Sequence, residues 1–255
     1  MKNFKKILLT MAMTMALGTS AFAASGFEFL FQLAGGAGAA IPNKEAKDLG
    51  FGTGLSFDAD ISAQIGYMFQ VKEGFGISVL GELGYAWDFY LYGQGGSGTL
   101  SSNTSVNPTY TYEGEDGISI AEYYHSFKLG LLPKFNIGVG RGDIAIGIGG
   151  GVKIPVAGNY RMTIYTVGTS TVKEDVQSES EIALKRKDIS DLFSPSVIGY
   201  MKVTFDYYLF FTDNIGMNFG LYLGGDFAPK QKETKIGCNS FDIGLQLGFR
   251  FGPKA

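Results

Sequence analysis

The chain alternates between apolar and polar side chains with a period of two over long stretches. Residues 55–69 show this most strictly, because the odd-numbered positions from Phe57 to Phe69 are apolar or aromatic and most of the even-numbered positions are polar or small. Such alternation predicts a β-strand with one apolar face and one polar face. Similar stretches elsewhere bring the total to eight predicted strands, over residues 26–41, 55–69, 75–92, 118–139, 144–156, 196–211, 215–227 and 240–251.

The connections between the predicted strands are alternately short and long. Three of them are only a few residues long, at 71–74, 140–143 and 212–214. The other four are longer, at 42–54, 93–117, 157–195 and 228–238. This pattern is typical of an up-and-down barrel with tight turns on one rim and long loops on the other.

The size of the apolar side chains decides which side of the barrel they occupy. The interior of an eight-stranded barrel is only just wide enough for side chains to fill. The apolar faces carry Phe, Tyr or Trp on nearly every strand, whereas the opposite faces are rich in Gly and small polar residues. A closed barrel also satisfies all its backbone hydrogen bonds in lipid. We therefore predict an all-β fold, a transmembrane antiparallel β-barrel of eight strands with the apolar faces outward.

The aromatic residues of the outward faces group at the two ends of the predicted strands. Those near the short-turn rim are Phe27, Phe29, Tyr67, Phe69, Phe75, Phe135, Phe211, Phe249 and Phe251. Those near the long-loop rim are Tyr85, Trp87, Phe89 and Tyr123. Two aromatic girdles around an aliphatic band are expected at the two membrane–water interfaces.

The first residues predict export from the cytoplasm. Lysines near the start precede an apolar run over 7–17 and the small-residue sequence Ala21-Phe22-Ala23, which together are typical of a signal peptide cut after Ala23. We therefore expect residues 1–23 to be removed and residues 24–255 to form a single barrel domain. A barrel delivered from the periplasm has its short turns on the periplasmic side and its long loops outside.

Charge and cysteine content exclude some classes of function. Removal of residues 1–23 takes away three lysines and leaves 18 basic against 24 acidic residues, a formal charge of −6. This acidic balance gives no basis for binding nucleic acid. The chain has one cysteine, Cys238, which has no second cysteine for an internal disulfide.

The outward orientation of the apolar faces places several charged residues inside the barrel. Glu28 and Arg250 lie near the periplasmic ends of the first and last strands, which must pair to close the barrel, so we predict an ion pair between them. Glu82 and Lys128 on neighbouring strands are a second candidate pair. Unpaired charges in a confined interior are costly, so pairing is favoured.

Two interpretations of this interior stay open. In one, the charged residues pair with one another and have a structural role, and the barrel conducts nothing. In the other, the many glycines leave a narrow cavity that favours cations. Asp58 and Asp60, toward the outer end of the second strand, either line water or close it off.

The last predicted strand resembles the end of Gram-negative outer-membrane β-barrel proteins. Their assembly signal is polar-x-Gly-x-x-hydrophobic-x-hydrophobic, and Asp242, Gly244, Leu247 and Phe249 have that spacing. In size and plan the chain is similar to the OmpA transmembrane domain, OmpX and OmpW group. The resemblance implies residence in the bacterial outer membrane, among its lipid and lipopolysaccharide, and recognition by the barrel-assembly machinery. The chain departs from many members by continuing as Gly-Pro-Lys-Ala after Phe251.

Catalytic, metal and cofactor motifs are weak in this sequence, so we expect no enzyme and no cofactor. The single histidine, His125, is next to Ser126, and adjacent strand residues point to opposite faces, so the two cannot share a proton directly. The acidic run at 113–117 lacks the spaced ligands of a calcium loop. The glycine runs at 138–142 and 147–151 are not followed by a helix, as a phosphate loop would be.

Two functions follow as hypotheses. The first is a monomeric, non-enzymatic surface protein that supports the envelope and contacts a host or environmental ligand through loops 93–117 and 157–195. In the second loop, we expect residues 160–167 to continue the fifth strand beyond the bilayer, and residues 178–193 have apolar and basic residues at weakly helical spacing. The second hypothesis is a narrow pore for small, including hydrophobic, molecules.

Overall fold

The computed structural model describes residues 25–95, 114–168 and 174–255. The predicted signal peptide, residues 1–23, lies outside this described part. Ten strands are present in it: β1 Gly26–Pro42, β2 Gly52–Lys72, β3 Phe75–Gly95, β4 Gly114–Val139, β5 Gly142–Gly168, β6 Glu174–Lys185, β7 Phe193–Ser194, β8 Ile198–Phe210, β9 Ile215–Gln231 and β10 Gly237–Phe251. Two short helices accompany them, α1 Lys44–Asp48 and α2 Arg186–Leu192.

Eight of the strands form a closed antiparallel ring. Its order is β1, β2, β3, β4, β5, β8, β9 and β10, and the ring closes because β10 also pairs with β1. The closing pair is long and regular, from Phe29 opposite Phe251 to Pro42 opposite Cys238. The predicted eight-stranded up-and-down barrel is therefore confirmed.

The turns at one rim are tight, as the sequence predicts. Residues 73–74 join β2 to β3 and residues 140–141 join β4 to β5. Gly74 and Gly140 have φ angles of 76° and 62°, a backbone conformation that residues with a Cβ rarely adopt. Glycine at these two positions therefore permits the tight reversal of the chain.

The apolar faces point away from the lumen along every strand of the ring. Leu131 and Leu245, in the aliphatic band, are 64% and 63% exposed. Polar residues at the alternate positions are buried inside, including Gln64, Asn136 and Thr204. This reverses the arrangement of a water-soluble protein and matches a barrel surrounded by lipid.

The strands on one side of the barrel extend far beyond the girdle at the long-loop rim. β4 has 26 residues and β5 has 27, against the roughly 9–11 residues that a membrane-spanning strand needs. β6 pairs with the outer half of β5, from Ala157 opposite Lys185 onward. The outer parts of β4 and β5, together with β6, thus form a sheet outside the membrane.

The loop predicted over 157–195 is therefore mostly strand, and the helical expectation for 178–193 is correct only for α2. The expected continuation of the fifth strand over 160–167 is confirmed within β5. β6 was not predicted, because both faces of this hairpin lie outside lipid and lipid imposes no alternation there. Residues 96–113 of the other predicted loop, 93–117, lie outside the described residues, while β3 and β4 continue to Gly95 and from Gly114.

The extracellular mouth is covered by a hydrophobic core that the loop elements share with the strand ends. α1, α2 and β7 contribute buried residues, and the strands add the rest. The buried members of this extracellular core are Ala40, Ala46, Phe51, Tyr90, Tyr92, Ile120, Tyr124, Leu184, Ile189, Phe193, Ile198, Ala228, Ile236 and Cys238. None of the helices in the described residues is long and apolar enough to cross a membrane.

Candidate functional site

The candidate site is the barrel lumen, where inward side chains from all eight ring strands meet. At the periplasmic end, Arg250 is fully buried and its Nε lies 2.8 Å from Oε1 of Glu28. Its Nη1 lies 3.2 Å from the carboxylate of Asp143 on β5. The structure thus brings together the predicted Glu28–Arg250 pair and adds a second carboxylate from across the lumen.

The C-terminal residues fold back against this end of the barrel. The carbonyl of Pro253 accepts a hydrogen bond of 3.0 Å from Nη2 of Arg250. The backbone N–H of Ala255 donates one of 3.0 Å to Asp143. Many members of the similar outer-membrane group lack the residues that this chain has after Phe251. Here these residues help to close the periplasmic mouth of the barrel.

An apolar layer and a buried ion pair lie next along the lumen. Leu30, Leu80 and Ala145 form a buried cluster with aromatic residues of β8. Beside it, Nζ of Lys134 lies 3.0 Å from Asp206. This level of the lumen therefore contains packed side chains.

A four-membered charge network crosses the middle of the barrel. Nζ of Lys128 lies 2.6 Å from Asp60 and 3.7 Å from the predicted partner, Glu82. Glu82 is in closer contact with Lys202 and also accepts a hydrogen bond of 2.6 Å from the hydroxyl of Tyr200. Lys128 thus bridges Asp60 and Glu82, both singled out from the sequence, while the contribution of Lys202 from β8 was not predicted.

A more acidic layer follows toward the extracellular side. Nζ of Lys153 lies 2.6 Å from Asp88 and 2.7 Å from Asp226. The predicted lumen residue Asp58 accepts a hydrogen bond of 2.6 Å from Tyr222. A cavity of about 30 Å³ lies between this layer and the middle network. This volume is enough for about two water molecules.

A buried carboxylate lies above the acidic layer, against the extracellular core. Glu122 is fully buried and accepts hydrogen bonds of 2.7 Å from Tyr92 and 2.9 Å from Tyr124. Two neutral donors thus satisfy this carboxylate. Side chains consequently occupy the lumen from Arg250 at one end to Glu122 at the other.

Sequence reasoning missed several inward residues. Leu30, Leu80 and Leu132 are all fully buried in the lumen although they are apolar. Their even-numbered positions in the alternation place them on the inward face of their strands, and this position could have identified them as lumen residues. It was obscured by the expectation that inward residues are polar or small.

The residues of the predicted assembly signal occupy both faces of β10. Asp242 points inward and accepts hydrogen bonds from Ser56 and Ser240. Leu247 and Phe249 are exposed on the outer face. A Cβ at Gly244 would lie 2.4 Å from the Tyr222 ring, so glycine also has a local packing role there.

His125 and Ser126 lie on opposite faces of β4. Nδ1 of His125 lies 2.6 Å from the hydroxyl of Tyr85 in the outer girdle, and the two rings stack. Ser126 is fully buried in the lumen. The arrangement places the histidine with the interfacial aromatic residues. Among the described residues, no group of three or more His, Cys, Asp or Glu side chains is placed to hold a metal ion.

Comparison with known proteins finds similar solved structures at low sequence identity. Neisserial surface protein A is 11% identical, with a TM-score of 0.34 and coverage of 89% of this chain and 99% of that chain. OprG from Pseudomonas aeruginosa is 10% identical, with a TM-score of 0.35 and coverage of 91% and 97%. The outer membrane protease OmpT from Escherichia coli is 8% identical, with a TM-score of 0.37 and coverage of 92% and 100%. No protein-family model and no curated protein sequence matches the chain.

The class of the protein follows from its own geometry. The ring of eight strands closes without an edge at membrane depth. Its outer face exposes aliphatic residues between aromatic ones, and its lumen is polar and charged. These are the features of barrels that reside in the outer membrane of bacteria. The chain is a small eight-stranded outer-membrane β-barrel protein.

Proposed function

We propose that the protein is a non-conducting, non-enzymatic barrel that anchors an extracellular surface in the outer membrane. The occupied lumen carries this proposal. Arg250, Lys134, Lys128 and Lys153 each make an ion pair across the lumen at a different level. A continuous water path would have to pass all four levels and the extracellular core.

The extracellular elements supply the working surface in this proposal. The outer parts of β4 and β5 form a sheet with β6 above the outer girdle, and α1 and α2 cover the mouth. Loops 93–117 and 157–195 are the proposed contact region for a host or environmental ligand. The sheet's rigid base on the barrel would hold that region at a fixed place above the membrane.

The remaining proposed partners belong to the membrane and to assembly. Lipid and lipopolysaccharide would surround the apolar outer face, and the barrel-assembly machinery would recognise Asp242, Gly244, Leu247 and Phe249. We propose a monomer, because the closed ring offers no open strand edge within the membrane. No nucleic-acid partner is proposed.

Single-channel recording of the refolded protein in planar bilayers tests the proposal. We expect no reproducible unitary conductance from the native protein. The competing function, a narrow pore for small molecules, predicts a unitary conductance that changes when Glu82→Ala or Lys128→Ala alters the middle network. Glu45→Gln on the exposed helix α1 is the matched control, since it removes a charge away from the lumen.

The surface role has a separate test. Binding to candidate host cells or matrix should be lost when residues 158–194 are replaced by a short turn, provided that the shortened protein still inserts as a barrel. Full binding by the shortened protein would contradict the proposed contact region without bearing on conductance.

A further inference from the structure

The outer face of the barrel carries a row of side chains that crosses β3 to β6 at the outer girdle. Trp87 is paired with His125, His125 with Ala157, and Ala157 with Lys185. Residues directly opposite each other on neighbouring strands lie on the same face of a sheet. All four therefore share the outward face of the aromatic girdle, and we define them as the outer row.

The outer row climbs away from the bilayer from Trp87 to Lys185. The pairings followed around the ring from Ala157, by way of β4, β3, β2, β1, β10, β9 and β8, return to Ile146 on the same strand. Ile146 is nearer than Ala157 to the periplasmic end of β5, so each step from β5 towards β3 descends. The aromatic end of the row thus lies at the lipid interface, and the ammonium end lies above it.

Ala157 leaves a shallow space in the middle of the outer row. Neighbouring strands are about 4.8 Å apart, so the Cα atoms of His125 and Lys185 are roughly 10 Å apart, on either side of Ala157. A methyl group between two longer side chains leaves room for a phosphate group to contact both of them. A leucine at this position would fill the same space.

The residues on both sides of this space are held in place. Nδ1 of His125 lies 2.6 Å from the hydroxyl of Tyr85, and the two rings stack. When this hydroxyl donates to Nδ1, the other ring nitrogen, Nε2, carries the proton and can donate to a ligand. On the other side, the backbone N–H of Lys185 donates a hydrogen bond of 2.9 Å to Asp188 at the start of α2.

The ammonium group of Lys185 is not neutralised by the protein. In the part of the chain that the structure describes, no carboxylate lies within ion-pair distance of its Nζ. Glu181, four residues earlier on β6 and thus about 14 Å along the strand, is paired with Arg161 at 2.8 Å. Because Lys185 is also exposed, an anionic group can approach it from outside.

The girdle adds flat aromatic surface and polar groups on the same side of the barrel. The ring centroids of Phe89 and Tyr123 each lie 6.4 Å from that of Trp87. The girdle residues with a hydroxyl or an indole N–H, Tyr85, Trp87 and Tyr123, all belong to β3 and β4. Such rings offer an apolar face to a sugar ring and a polar edge to its hydroxyl groups. The headgroup of a simple phospholipid contains no sugar ring to use this surface.

We propose that the outer row binds a phosphate group of the phosphorylated glycolipid of the outer leaflet, with Lys185 and Nε2 of His125 as donors above Ala157. The sugar of the glycolipid lies against the girdle, and its acyl chains follow the exposed aliphatic side chains of β4 and β5, such as Leu129 and Val152. This inference rests on the proposed lipid contact of the outer face, and it is independent of whether the barrel conducts.

Titration of the refolded protein with bis-phosphorylated lipid A, in micelles of a zwitterionic detergent, tests this proposal. Trp87 is the single tryptophan and belongs to the outer row, so its fluorescence reports binding. We expect saturable binding of this lipid and much weaker binding of lipid A without its phosphates. Equal binding of the two would overturn the role of the phosphate, and equal binding of phosphatidylglycerol would overturn the assignment to a glycolipid. Conductance does not enter this titration, so its failure is distinct from failure of the proposed non-conducting barrel.

Two variants locate the site. Lys185→Gln removes the ammonium group, and we expect about tenfold weaker binding, as for the loss of one hydrogen bond to a charged group. Ala157→Leu keeps every charge but fills the space, so it should also weaken binding. Lys44→Gln on α1 is the matched control, since it removes an exposed charge away from the outer row, and it should bind like the native protein. Equal losses in Lys185→Gln and Lys44→Gln, or native affinity in Ala157→Leu, would contradict a site in the outer row.

Discussion

Arg250 shows how much of the lumen was predictable at the scale of single residues. Its pairing with Glu28 follows from the sequence, because both lie near the same end of the two strands that close the ring. Its contacts with Asp143 and with the Tyr208 ring, 4.4 Å from the guanidinium carbon, come from across the barrel. Such contacts depend on the barrel's diameter and stagger, which alternation along one strand does not encode.

Replacement of Arg250 by methionine should strongly destabilise the barrel. Glu28 and Asp143 would both keep buried charges without their cation, and removal of one partner of a buried ion pair costs about 3–5 kcal/mol. The free energy of unfolding, measured in urea, gives the effect. Arg141→Met in the exposed β4–β5 turn is the control, with an expected change within about 0.5 kcal/mol. Similar losses in the two variants would contradict the assigned role of Arg250.

Cys238 should resist thiol reagents in the folded barrel. It is 1% exposed in the extracellular core, and burial, followed by the nearby charges of Glu122 and Asp242, raises the pKa of its thiol. A raised pKa leaves less of the reactive thiolate at a given pH. Labelling with a maleimide at mildly alkaline pH should be slow until urea unfolds the protein. Rapid labelling of the folded protein would show that the extracellular core is open.

At the scale of elements, the eight ring strands and the outward continuation of β5 were predictable, but β6 and β7 were not. Residues 144–156 alternate because one face meets lipid, and this part of β5 was found. The continuation of this strand outside the membrane was expected over 160–167 and is confirmed, although the weaker alternation there did not give its exact end. The two-residue strand β7 and the helix α2 depend on packing against the barrel mouth, through Phe193 and Ile189.

The outer part of the β5–β6 hairpin should be dispensable for folding. A short glycine-rich turn in place of residues 163–179 would join Met162 to Ser180, which lie opposite each other. The extracellular core would keep Leu184, Ile189 and Phe193, so we expect an unchanged urea midpoint. Replacement of residues 158–194 removes these three residues from the core and should lower the midpoint. Equal midpoints for the two deletions would contradict the packing role of the core.

At the scale of the whole molecule, one alternating pattern defines two environments. The outer face is apolar because it meets lipid, and the inner face is polar because its members pair with one another across the ring. The orientation followed from side-chain size, since bulky aromatic residues on every strand cannot share so narrow an interior. The sequence left open whether the interior is wet, because that depends on which side chains reach each other.

Thiol accessibility at two consecutive positions of β2 tests the central claim most directly. With Cys238 replaced by serine, cysteine is introduced at Ser62, which is buried in the lumen, or at Ala63, which is on the outer face. A third variant, Glu73→Cys in the exposed β2–β3 turn, gives the rate for full exposure to water. A filled barrel in lipid predicts that a lipid-soluble maleimide labels only position 63 of the two, and that a small water-soluble reagent labels neither. Labelling of position 62 by the water-soluble reagent at a rate near that of position 73 would contradict the account.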